Sequence, residues 1–260
     1  MRVSHVLLLA GCGALLSACS SASRSTAPAP APAPELSSKD PLTATMLMQQ
    51  GQTLVAEGKA AEGLERYRAA IKLQPQNPTA HNLSGIALLQ LHQPAKAVES
   101  FNSALKLAPM YSDARSNRGA AYVQLGQFAM AESDFLAVLA DTTHAARAGV
   151  YFNLGSLYAG RGNLSAAEEN LRKATVGSAP VDAFVLLGQV EEQLAKPAAA
   201  ELAFREATKR APERADVALA MARILELEGR ADEAREWYRK VIALAPDSTE
   251  ANQARLRLGR

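Results

Sequence analysis

The chain has 260 residues, enough for one or two ordinary domains, and 48% of them are apolar while only 5% are aromatic. Alanine therefore carries much of the apolar fraction, which suits close-packed helices, and 28 basic against 26 acidic residues leave a net charge of +2 with no electrostatic case for nucleic acid. Both cysteines, Cys12 and Cys19, fall in the first twenty residues, which excludes a disulfide framework, a thiolate zinc site or a cysteine nucleophile from everything downstream.

Met1–His5 is a short polar start containing Arg2, and Val6–Ala18 is apolar or small throughout. That run is too short to cross a bilayer core of ~30 Å as a helix, which takes about 20 residues. It fits the apolar region of an export signal. It closes on Leu16-Ser17-Ala18-Cys19, which resembles the lipobox of bacterial lipoproteins: an apolar residue, two small residues and the cysteine that is lipidated. A second match, Leu9-Ala10-Gly11-Cys12, has only Val6–Leu9 as its apolar core and is set aside. The resemblance implies a signal peptide over 1–18, cleavage before Cys19, and a lipid on Cys19 that holds the chain on a membrane. Ser20 follows where lipoproteins kept at the inner membrane often carry Asp, so the same resemblance favours the outer membrane, facing the periplasm.

Residues 19–40 form a tether. Ala27–Pro34 is four Ala-Pro units. Proline lacks an amide hydrogen and fixes φ, so the run joins neither a helix nor a sheet. It is expected as extended polyproline II at ~3.1 Å per residue, which sets the folded part up to roughly 60 Å from its anchor.

From residue 44 the chain repeats. Small residues recur at Gly51, Gly85, Gly119, Gly155, Gly188 and Ala222, at steps of 34, 34, 36, 33 and 34. Twelve residues after each stands a second small residue, Gly63, Ala97, Ala131, Ala167, Ala200 and Ala234, and a third series holds Tyr67, Phe101, Phe135, Leu171, Phe204 and Tyr238. Prolines close most units, and Gly58, Gly126, Gly162 and Gly229 mark turns inside them. These offsets resemble the tetratricopeptide repeat (TPR), whose period is 34. The implied fold is all-α: a right-handed α-solenoid over 41–260, with hairpins at 44–77, 78–111, 112–145, 148–180, 181–214 and 215–248 and a capping helix at 249–260. One such hairpin cannot bury its own apolar face, so stacking is obligatory. The small residues let the two helices cross closely, and the third series is expected to fill the gap toward the next hairpin. The third unit ends in Asp141-Thr142-Thr143-His144 where a proline is expected, with Ala146 and Arg147 surplus, which predicts a local break.

Little in the chain reads as catalytic. His81, His92 and His144 lie far apart, in no metal-ligand spacing, and His92 stands where other units have a turn glycine. Gly160-Arg161-Gly162 is at a helix–helix turn and not after a strand. Glu168-Glu169, Glu191-Glu192 and Glu226 with Glu228 read as solvated faces. No enzyme activity, metal or cofactor is expected.

In the tetratricopeptide family the first helix of each hairpin lines a concave groove. The resemblance places Met48, Gln52, Val55, Asn82, Ile86, Leu89, Gln90, Ser116, Val123, Gln124 and Phe152 there in the first four units, and Asp182, Gln189, Glu192, Gln193, Asp216, Arg223 and Glu226 in the last two. Met48, Ile86, Leu89 and Phe152 are expected to face solvent and to mark a contact for a protein partner, because contiguous exposed apolar surface usually does. Met48, Gln52 and Leu83 stand where some co-chaperones of this family carry the Lys and Asn that clamp a C-terminal carboxylate, so a chaperone-tail receptor is disfavoured.

One lipobox, six repeats, Arg147 and Asn153-Leu154-Gly155 after the third unit together resemble the PilF/PilW/Tgl-type pilotins of type IV pili. That likeness implies a protein that helps a secretin subunit reach the outer membrane and assemble its ring; the chain is expected to be a monomer. Two other lipoprotein types share the plan: adaptors for cell-wall enzymes similar to NlpI, and Flp-pilus lipoproteins of the TadD type.

Overall fold

The computed structural model describes residues 41–141, 147–177 and 179–259. The lipobox with Cys19 and the Ala-Pro tether lie outside them, as does His144. Every regular element among the described residues is a helix, and the helices pair in sequence order as antiparallel hairpins.

The chain divides between residues 144 and 145 into two units. The first holds α1 (Pro41–Ala56), α2 (Ala60–Leu73), α3 (Pro78–Gln90), α4 (Pro94–Leu107), α5 (Ser112–Gln124) and α6 (Phe128–Ala140). The second holds α7 (Arg147–Gly160), α8 (Leu164–Ala174), α9 (Val181–Gln193), α10 (Pro197–Arg210), α11 (Ala215–Leu227), α12 (Ala231–Leu244) and α13 (Thr249–Leu258). Each unit is thus a stack of three hairpins, and the second carries α13 as well. Arg147, surplus by repeat counting, is the first residue of α7, and its guanidinium donates to the Tyr151 hydroxyl at 3.3 Å.

Local chemistry sets the helix ends. Pro78, Pro94 and Pro197 occupy the first turn, where a missing amide hydrogen breaks no bond. Asn77 accepts from the Thr79 and Ala80 amides, and Ser248 caps α13 by accepting from the Ala251 amide at 3.1 Å. The hairpin turns need one left-handed residue. Glycine supplies it in most hairpins, but His92 (φ 55°) and Ala195 (φ 56°) adopt it in the second and fifth. The histidine was legible as a replaced glycine; the alanine was not.

The small-residue series is explained by close approach. A Cβ built on Gly85 would lie 2.5 Å from Cε1 of Phe101, and one on Gly119 would lie 2.6 Å from Cε1 of Phe135. In the first five hairpins the third-series side chain therefore seats directly on the glycine of its own hairpin. Tyr67, Phe101, Phe135, Leu171 and Phe204 are all sealed from solvent. On α13, Ala251 and Ala254 are buried while Arg255 and Arg257 are exposed, the polar outer surface a terminal helix needs.

The third hairpin departs from apolar packing. Arg118 on α5 forms a fork onto Asp134 of α6 (2.8 and 2.7 Å) and donates to Asn102 at 2.7 Å. Asp134 is 6% exposed. Removing one partner strands the other charge, a loss of ~3–5 kcal/mol for a fully buried pair. Arg118 keeps some solvent contact, so Arg118→Ala is expected to destabilise the first unit by about 2–3 kcal/mol in urea denaturation, and Arg118→Leu with Asp134→Ala to recover most of that.

Candidate partner-binding faces

Within the first unit α1 touches α3 and α3 touches α5, while α2, α4 and α6 stay further apart. The first helices consequently form the inner side of the stack, and the groove positions can be read off residue by residue. Gln52 and Gln90 are exposed, and Met48, Val55, Ile86, Ser116, Val123 and Gln124 are half-buried. Met48, Val55 and Ile86 rest on the apolar cluster of Leu64, Tyr67, Leu88 and Phe101, offering one edge to solvent.

Three positions correct the sequence reading. Leu89 is only 5% exposed and belongs to that same cluster, so it does not face solvent. Phe152 is 6% exposed, locked among Leu171, Leu187 and Val190 of the second unit. The family register puts both positions on the groove side, but here both side chains are taken into the apolar clusters of their own units. Asn82 is buried too. Its amide nitrogen donates to the Tyr111 hydroxyl at 3.3 Å and its oxygen accepts from Asn117 at 3.1 Å, so it ties α3 to α5 instead of waiting for a ligand.

What remains on this face carries almost no charge. Asp113, the second residue of the third hairpin and so also at a groove position, is the one ionisable residue among those of the first unit. Gln52 and Gln90 are exposed and Gln124 half-buried on the same helices as the half-buried Met48, Val55, Ile86 and Val123.

The second unit presents the opposite character. Arg223 pairs with Glu192, Arg214 bridges Asp182 and Asp216, and Arg257 reaches Glu226 at 3.3 Å. Glu226 also accepts from the Tyr238 hydroxyl at 2.8 Å, and burial with that carboxylate pushes the phenol up to about 12. The charged groove residues are thus already paired within the second unit.

Glu191 overturns a further expectation. Read as part of a solvated face, it is 2% exposed. One oxygen accepts from Arg172 at 2.8 Å and the other has no partner. Lys196 and Arg172 both bind Glu168 nearby. Burial raises the Glu191 carboxyl above its ordinary value despite the arginine. A raised carboxyl penalises folding while it is ionised, above its folded pKa, and the penalty vanishes below its unfolded pKa. Glu191→Gln is therefore expected to raise the melting temperature of the second unit at pH 7, with the gain shrinking to nothing as pH falls through ~4.3. Thermal melts at pH 7 and pH 4 measure it.

Among the described residues no group of three His, Asp or Glu side chains gathers at metal distance. His81, near the start of α3, donates from its ring Nε2 to the Pro75 carbonyl (2.9 Å). No helix among them is long and apolar enough to cross a membrane.

Comparison with known proteins agrees with this geometry. Tetratricopeptide-repeat profiles match residues 48–112, 148–175 and 185–249. None of the curated protein sequences compared with the chain matches it. Among solved structures the chain is similar to PilW, described as a widely conserved type IV pilus biogenesis factor: TM-score 0.73, 23% identity, covering 81% of this chain and 97% of that one. It is similar also to PilF of Pseudomonas aeruginosa (0.72, 17%, covering 83% and 97%). YrrB, described as a TPR protein with an unusual peptide-binding site, gives 0.58 at 18%, covering 73% and 97%. At these identities the likeness establishes the fold.

Proposed function

Because the chain belongs to the tetratricopeptide-repeat family, a protein-interaction scaffold, we propose that it is a type IV pilus biogenesis lipoprotein, anchored through Cys19 to the outer membrane, that captures a secretin subunit on the first-helix face of its first unit. The observation that carries the reading is the contrast between the two faces. The first unit leaves half-buried Met48, Val55, Ile86 and Val123 beside unpaired glutamine amides. Those groups accept an extended or helical segment without breaking any ion pair or hydrogen bond among the described residues. The second unit would have to give up ion pairs to do the same. Similarity over most of both chains to PilW and PilF supports the choice of pilus assembly.

Ile86→Glu places a charge on this face at a half-buried side chain that flanks the buried cluster and is not part of its sealed centre. The variant is expected to fold and to lose at least tenfold of the secretin that co-purifies with the native chain from detergent-solubilised envelopes. Leu227→Glu, on an exposed position of α11, is expected to retain it. Equal recovery with both variants rejects the assignment of this face. Mass spectrometry of the purified chain tests the anchor: the N-terminal peptide is expected to begin at Cys19 and to carry acyl chains.

A further inference from the structure

We propose that the first-helix face of the first unit is occupied at rest by the chain's own Ala27–Pro34 run, so that a partner binds by displacing it; the inference rests on reading that face as the capture surface.

Three properties of the face match this run. The first is charge. Ala27–Pro34 bears none, and Asp113 is the only ionisable groove residue of the first unit. The ion pairs on the second unit's face would be desolvated by such a segment with nothing in return. The second is hydrogen bonding. A chain in which every second residue is proline offers a carbonyl at each residue but an amide hydrogen only at alternate ones. It needs donors, and Gln52, Gln90 and Gln124 supply side-chain amides that make no hydrogen bond to the described residues. The third is length. Eight residues of polyproline II extend ~25 Å. The centres of α1, α3 and α5, which touch in order, span about 20 Å at the usual ~8–10 Å between packed helices.

The connection is short enough to make this contact local. Pro34 is separated from Pro41, the first residue of α1, by Glu35–Asp40. Six residues reach at most ~20 Å, and α1 is itself the first wall of the face. A tethered segment at that range has an effective concentration in the millimolar range. A site of about millimolar affinity is then roughly half filled, and a tighter one largely so. Polyproline II adds little ordering cost, because proline has already fixed φ. A partner gains only its advantage over this occupant, which makes capture selective for segments that bind better than Ala-Pro.

The test uses the full lipidated chain with one photoreactive residue. Gln52→p-benzoylphenylalanine and Gln90→p-benzoylphenylalanine lie on the proposed face. Leu136→p-benzoylphenylalanine, on an exposed position of α6, is the control. After irradiation, peptide mapping of the monomer band is expected to find crosslinks to residues 27–34 at least tenfold more abundantly from Gln52 and Gln90 than from Leu136. Changing Pro28, Pro30, Pro32 and Pro34 to glycine is expected to cut that yield severalfold. Equal yields from face and control, crosslinks found only between two copies, or none to 27–34 would overturn the proposal. The capture reading is scored separately by secretin recovery with Ile86→Glu, so either can fail alone.

Discussion

Phe152→Glu is expected to unfold the second unit at neutral pH. Phe152 is locked among Leu171, Leu187 and Val190. Losing a buried aromatic ring of this kind costs ~3–5 kcal/mol. A carboxylate left in its place among these apolar side chains adds several kcal/mol of desolvation, roughly. The sum rivals the whole stability of a domain, about 5–15 kcal/mol. The carboxyl escapes part of the penalty by taking up a proton. The helical signal of the second unit should accordingly return in part as pH falls below ~5, the pH dependence expected of a buried carboxylic acid. Circular dichroism of the variant at pH 7 and pH 4.5 measures both effects. A native melt at pH 7 would mean that the ring is not in the core.

The second large effect concerns the glycine–aromatic pair of the second hairpin. Phe101→Ala is expected to destabilise the first unit by ~3–5 kcal/mol, because a fully buried ring leaves a cavity. Gly85→Ala in the native chain drives a methyl into that ring, 2.5 Å from Cε1, and overpacking of this sort costs ~1–3 kcal/mol. In the Phe101→Ala background the methyl has room. There the same substitution should turn stabilising, since alanine is favoured over glycine within a helix by ~1 kcal/mol. Urea denaturation of the four proteins in this cycle reads the sign change. If the two costs simply add, Gly85 is present for a reason other than the ring.

The repeat could be read from the sequence because close crossing tolerates only small side chains at fixed places. Gly85 and Phe101 reveal themselves by recurrence, each with counterparts one period away. The same argument located the interruption after Asp141, which falls beside the boundary between the two units. Side chains that break the repeat's own rule were harder. Glu191 occupies a position taken by Leu88, Tyr122, Tyr158 or Leu225 in other hairpins, yet its adjacency to Glu192 suggested a solvated pair. Arg118 and Asp134 lie 16 residues apart with no pattern to link them, and only the hairpin geometry brings them together. Leu89 and Phe152 failed for a different reason. Their positions line a groove in the family, but in this chain the apolar clusters of their own units take them in. What the face keeps for a partner is the half-buried and amide-bearing set: Met48, Gln52, Val55, Ile86, Gln90, Val123 and Gln124.

The most direct measurement is the state of the type IV pilus secretin in outer-membrane fractions of cells whose only copy of this chain carries Ile86→Glu. The secretin is expected to remain as monomers that dissociate in detergent, as in cells lacking the chain, while the Leu227→Glu strain forms detergent-resistant rings like the native one. Normal rings in the Ile86→Glu strain, with the variant folded and present at native levels, would contradict the account.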